Sequence, residues 1–335
     1  MFTPFLTTGI GSLPHTNPDD ACRLVLETFD IPFWPQLPRL SFRESMVPQF
    51  SEGMPSLRID EQRETVWIER SEDGLKRFYE SYSDGMELAV SEDYAKGLHA
   101  FIRAISGRHF GFLKGHVTGP LTFTLGLKDS DGRLVYFDEE LRELALIVLK
   151  AKIKWQIGIL KRNAEKVILF LDEPILSALG SSSYIGVAPE EAQRLLTETT
   201  DAVKESGGIP GIHCCSKADW PLVINSGAGI VSFDAYDYVE SLALYPAEFT
   251  GFLRGGGYLA WGIVPTTESI NQEDAGSIRS RFDEGLHRLS KSIPGDLLRS
   301  QILLTPSCGT GSRSVEETEK VFGTLVELKA SLQAA

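Results

Sequence analysis

Cysteine is scarce in this chain, with four in 335 residues. That is too few to staple a fold of this size, so the thiols are expected to be ligands, catalysts or core residues in a reducing compartment. Positive charge is also in deficit. Lys and Arg total 33 against 46 Asp and Glu, leaving a net charge of −13. This argues against nucleic acid or an anionic membrane surface as the main partner. No window holds ~20 consecutive apolar residues, so no membrane span is expected. Met1-Phe2-Thr3-Pro4-Phe5 lacks a basic stretch and a long apolar run, so no secretory signal is expected and the location read is cytoplasmic. There is no internal repeat, low-complexity tract or obvious linker. No Gly-x-Gly-x-x-Gly turn follows the first candidate strand, which weakens a dinucleotide-binding reading.

What is present is alternation. Val167–Leu171, Ile209–Cys215, Ile230–Phe233, Tyr258–Val264 and Gln301–Thr305 read as short apolar strands. Helical stretches separate them, at 189–205, roughly 217–226, 241–254 and 272–291, with a last one at 314–333. Pro189-Glu190-Glu191 opens the first, and Gly207-Gly208 follows it. Strands 110–116 and 6–10, and one near 31–33, bring the count toward eight. The expected fold is α/β: a single (β/α)₈ barrel over residues 1–335, with an irregular, charged, Pro- and Ser-rich insertion near 34–97 lying over its mouth. An open doubly wound sheet is the second choice.

Ser12, Asp172, His213, Cys215, Asp234 and Cys308 each fall at or just past the C-terminal end of an expected strand, the face of such a barrel that carries chemistry. His213 and Cys215 are two apart, so an extended chain points both to one side and Cys214 to the other. Cys308 follows about ninety residues later. Together they offer a Cys₂His zinc site with an open position, and ordinary buried thiols or a Cys214–Cys215 redox pair are the competing readings. Asp234 is the candidate carboxylate ligand and Asp237 its alternative; either could instead cap the next helix. Asp172 and Glu173 could hold a substrate ammonium. The turn Thr8–Pro14 offers backbone N–H groups to a carboxylate.

The ligand set points to a chemistry. Two thiolates already neutralise a zinc ion, which makes it a poor activator of water. It can still strip the proton from an incoming thiol and leave the sulfur nucleophilic. S-alkylation follows, most simply methyl transfer to a thiol.

These segments resemble the catalytic C-terminal barrel of cobalamin-independent methionine synthase, within the superfamily that includes uroporphyrinogen decarboxylase. The matching residues are Ile10-Gly11-Ser12-Leu13-Pro14, Arg43 with Met46-Val47, Thr118-Gly119-Pro120-Leu121-Thr122, Asp172-Glu173-Pro174, His213-Cys214-Cys215, Ile230 to Asp234, and Pro306-Ser307-Cys308-Gly309 with Arg313. The resemblance implies zinc on His213, Cys215 and Cys308, with Asp234 where the family usually has Glu. It places Asp172 on the amino group of homocysteine and Ser12 by its carboxylate.

Three departures bear on the substrates. The family's full-length enzyme has two barrels and this chain has room for one. The family's His near the segment Gly262–Pro265 is missing. Leu40 stands where the family has an acid, which weakens the case for homocysteine itself. A methyl on a folate nitrogen leaves only after protonation, whereas a methyl on a corrinoid cobalt needs no proton. The donor expected is therefore methylcobalamin or a methylated corrinoid protein, although His116, near another strand end, could replace the missing acid. The alternatives are a metal-free decarboxylase using Arg39 and Arg43, and a non-catalytic corrinoid- or thiol-binding protein.

Overall fold

A computed structural model describes residues 2–83 and 86–334. Its strands, in chain order, are β1 (Leu57–Asp60), β2 (Thr65–Ile68), β3 (Phe110–Thr118), β4 (Lys128–Asp129), β5 (Ala164–Asp172), β6 (Ile209–Cys214), β7 (Ile230–Asp234), β8 (Tyr258–Val264) and β9 (Ile302–Pro306). Six of them form one curled parallel sheet in the order β3-β5-β6-β7-β8-β9. Each passes to the next through a helical connection, as parallel strands require.

Two extended segments close the ring between β9 and β3. The segment around Phe5–Leu13 joins β9 through Phe5 N–H to Ile302 O (2.8 Å) and Leu304 N–H to Leu6 O (2.9 Å). The segment around Ile31–Gln36 bonds to the first through Ile31 N–H to Thr7 O (3.0 Å) and Gln36 N–H to Gly11 O (3.0 Å). It reaches β3 through Lys114 N–H to Pro32 O (2.8 Å). The expected strands at 6–10 and 31–33 thus appear as single bridges rather than ladders. Pro4, Pro32 and Pro35 supply no donor, and Phe5 has φ 65°, so neither segment can sustain a continuous ladder.

The barrel has two apolar compartments. Ile168, Phe170, Ile230, Ala260 and Leu303 form a buried cluster on the inward positions of β5, β7, β8 and β9. The larger cluster, with Leu169, Leu171, Ile212, Cys214, Val231 and Phe233 among its members, packs the outward positions against the helices. Strands buried on both faces explain why the sequence shows near-continuous apolar runs.

The segment 34–97 is less irregular than its composition implies. It holds the helix Met46–Ser51, the antiparallel hairpin β1–β2 and the helix Glu72–Ser81. β2 extends this hairpin in parallel with β4, just past the helix Pro120–Gly126 that leaves the C-terminal end of β3. One buried acid fastens the start of the segment. Glu44 accepts from Leu37 N–H (3.1 Å) and from Lys96 N–H (2.9 Å), at the start of the helix Lys96–Ile105. Desolvation raises its pKa from 4.5 to about 7 against the pull of these N–H donors.

A carboxyl whose pKa is higher in the folded protein takes up a proton on folding between the two values. Glu44 therefore favours the folded state at low pH, and that contribution fades as the pH rises through about 7. Glu44→Gln should flatten this part of the stability–pH curve between pH 4.5 and 7. Urea unfolding at several pH values measures it.

Candidate metal centre and cavity

The site begins with strand register. Thr118 pairs with Asp172, Asp172 with His213, and His213 with Ser232. These residues share one tier near the C-terminal ends of β3, β5, β6 and β7. Cys215 lies two residues after His213 on the same side, while Cys214 points into the outer core and is fully buried.

Cys308 arrives on the loop after β9. One ligand atom from each of His213, Cys215 and Cys308 lies within 4.8 Å of the other two. The alternation along β6 and the strand-end position of Cys308 thus bring together the three residues singled out from sequence.

The donor set fits a metal. His213 Nδ1 meets Ser232 Oγ at 2.9 Å, and its buried Nε2 has no hydrogen-bond partner. With the ring proton on Nδ1, Nε2 offers its lone pair to the same space as the two sulfurs, the arrangement by which metal-binding imidazoles are held. The neighbouring Cys308 thiol and His213 imidazole lower the Cys215 pKa from 9.0 to about 4. The same contact with Cys215, together with burial, pushes the Cys308 thiol well up. The two sulfurs thus behave as a pair retaining one proton, which a metal ion would displace.

The trio opens onto a cavity of about 290 Å³. Ile10, Ser12 and Asp172 line it beside the three ligands, and Gln36, Pro38 and Met46 wall its other side. The 34–97 segment therefore contributes to the mouth, as expected. Asp172 is 9% exposed, and its buried Oδ1 has no hydrogen-bond partner. Desolvation raises its pKa from 3.8 to about 6, while His213 and Lys114 pull it down. It is a carboxylate free to take a donor from a ligand.

Other candidates are engaged elsewhere. Glu173 turns away from the cavity and accepts from Leu121 N–H (2.9 Å), Thr122 N–H (2.7 Å) and Thr122 Oγ1–H (2.6 Å). It caps the helix Pro120–Gly126 and does not join Asp172 as an ammonium ligand. Gly119 is needed beside it, because a Cβ there would lie 2.3 Å from the carboxyl group. Asp234, expected as the fourth ligand, is outside the metal-binding group; its Oδ1 accepts from Asp237 N–H at 3.0 Å as a helix cap. Desolvation raises its pKa to about 7. Asp237 is exposed.

His116 is not part of the cavity lining. It is buried and stacks on Trp34 with ring centroids 3.8 Å apart, and neither ring nitrogen has a partner. Burial and the nearby Lys114 hold its pKa well below 6.5. The backbone at Gly11 lies against it, since a Cβ there would come within 2.8 Å of the ring.

Ser232, Lys114 and, within the expected mouth segment, the individual wall residues Pro38 and Met46 were not named as site residues from sequence. Counting back by two from Asp234 and from His116 marks the first two as inward polar positions on apolar strands. The wall carries no such signal.

No protein-family model matches the chain, and no curated protein matches it either. Solved structures do. A B12-independent methionine synthase from Shewanella sp. W3-18-1, in complex with selenomethionine, superposes with a TM-score of 0.62 at 14% identity, covering 99% of this chain and 98% of that one. A methyltransferase from Methanosarcina mazei gives a TM-score of 0.56 at 14% identity, covering 99% and 94%. At this identity the likeness is one of fold, and it extends over the whole barrel.

If the trio holds a metal, removing one of its members or its support should act on metal before it acts on fold. Cys215→Ala should then weaken zinc binding by at least about a hundredfold, and Ser232→Ala by about ten- to a hundredfold. Competition with a chelator reads both, and an unchanged circular dichroism spectrum shows that the barrel persists.

Proposed function

We propose that this protein is a zinc-dependent methyltransferase that moves a methyl group to a small thiol, with homocysteine the favoured acceptor and methionine its product. The observation that carries the reading is the convergence of a His213 ring nitrogen, Cys215 Sγ and Cys308 Sγ in the lining of a cavity that also holds the Asp172 carboxylate, one oxygen of which has no hydrogen-bond partner. The whole-chain fold likeness to a methionine synthase and a methyltransferase is consistent with it. A zinc ion on that trio would supply the charge that draws the proton from an incoming thiol near neutral pH.

The chain's own residues do the rest. Asp172 receives the acceptor's ammonium and fixes its orientation. Ser12, whose hydroxyl accepts from Gly311 N–H at 3.4 Å, would meet the acceptor's carboxylate. Met46, Pro38 and Ile10 exclude water from the acceptor's chain. The acceptor sulfur would attack the donor's methyl carbon in line, and a corrinoid donor would supply the methyl group and keep the electron pair of the bond that breaks. The thiol proton would pass to solvent.

The donor proposed is methylcobalamin or a methylated corrinoid protein, arriving through the open mouth. A folate donor would need an acid at its nitrogen. His116, the replacement acid considered from sequence, is outside the cavity lining and carries its two ring nitrogens in a buried, cation-disfavouring place.

A decarboxylase of the uroporphyrinogen type is less well supported. It would need free cations at the mouth, but Arg43 pairs with Glu61 at 2.7 Å and Arg39 donates to Gly311 O (3.1 Å) and Ser312 O (2.8 Å). A non-catalytic corrinoid or thiol carrier would bind without turnover.

Incubation of zinc-loaded protein with methylcobalamin and a panel of thiols distinguishes these readings. Formation of cob(I)alamin and a thioether is expected, with a loss of at least about a hundredfold in Cys308→Ala. Turnover with methyltetrahydrofolate alone would overturn the donor; binding without transfer to any thiol would overturn the enzyme.

A further inference from the structure

Lys114 is a charged residue that neither the fold nor the proposed reaction uses. It is fully buried on β3, at an inward position. Its ammonium donates to Ile10 O at 2.6 Å and lies 4.4 Å from the centre of the Phe170 ring and 5.5 Å from that of Phe33. Ile10 lines the cavity, and Phe170 is the next inward residue below Asp172 on β5. The side chain therefore climbs from its pairing partner Ile168 to the tier directly beneath the site.

Among the described residues, Ile10 O is the one hydrogen-bond acceptor of its ammonium, and no ion pair involves it. A buried ammonium with two donors unfilled is expensive, and a Met of similar length would fill the same slot without that penalty. Burial lowers its pKa from 10.5 to about 8, with Asp172 acting in the opposite direction, so it is cationic near neutral pH.

The charge becomes intelligible when the site is loaded, an argument that rests on the zinc–thiol reading above. The metal's charge is matched by the thiolates of Cys215 and Cys308, and the ammonium of homocysteine by Asp172. The acceptor's remaining groups, a sulfur that must lose its proton and a carboxylate, have no cation among the residues lining the cavity. We propose that Lys114 is a positioning residue whose buried charge acts across the Ile10 carbonyl to favour the thiolate form of the bound acceptor.

Lys114→Gln keeps a donor for Ile10 O and removes the charge, and Lys114→Met removes both. Calorimetric titration of the zinc-loaded proteins with homocysteine, in buffers of different ionisation enthalpy, counts the protons released on binding. The wild type should release about one proton per homocysteine near pH 7.5. Both variants should hold zinc as the wild type does, release less than about half as many protons, and bind homocysteine about tenfold more weakly.

Folded, zinc-loaded Lys114→Gln that releases as many protons as the wild type would overturn the proposal. So would failure of both neutral variants to fold, which would make the lysine structural. If the wild type itself holds no zinc or releases no proton, the zinc–thiol reading fails first and this inference falls with it.

Discussion

Everything at the mouth of this barrel depends on the pairing register of β5, β6 and β7. Because side chains alternate along a strand, a shift of one residue would turn His213 toward the outer core and bring Cys214 inward. The register observed sets Asp172, His213 and Ser232 side by side in one tier. That single fact gives the imidazole its hydroxyl partner, leaves its second nitrogen bare, and puts a partly desolvated carboxylate beside the sulfurs.

The burial that makes the tier useful also makes it costly. Asp172 and Lys114 are charged groups removed from water, without an ion-pair contact between them. Such groups lower stability unless something meets them. Glu44 and Glu173 meet that requirement in another way. Each accepts backbone N–H groups at a helix start, and Glu44 fastens the segment whose Pro38 and Met46 wall the cavity. The surround is thus built on satisfied acids, while the cavity holds an acid, Asp172, with a buried unpaired oxygen.

Much of this was legible from sequence where local rules suffice. The alternation of apolar strands with helices from Val167 onward specified a parallel barrel, and Pro189–Glu205 begins and ends where its proline, acids and glycines place it. The His213-x-Cys215 spacing required no tertiary knowledge beyond an extended chain. Other features depended on context. The helix Glu139–Leu160 is buried along much of its length and includes the fully buried Lys152, so its periodicity is blurred. The hairpin β1–β2 is too short and too charged to stand out. Glu173 and Asp234 read as ligands from their strand-end positions, but short helices begin beside them, and unfilled N–H groups claim their oxygens. Sequence marked the right positions there without showing which direction the side chain would serve.

The claim at the centre is that His213, Cys215 and Cys308 hold one metal with a coordination position open to a thiol. Cobalt(II) in place of zinc tests it most directly, because sulfur-to-cobalt charge-transfer absorption reports thiolate ligands and the visible bands report geometry. The account predicts one cobalt per chain with tetrahedral, two-thiolate absorption that gains intensity when homocysteine is added. Weak octahedral bands, or a spectrum that homocysteine leaves unchanged, would contradict it.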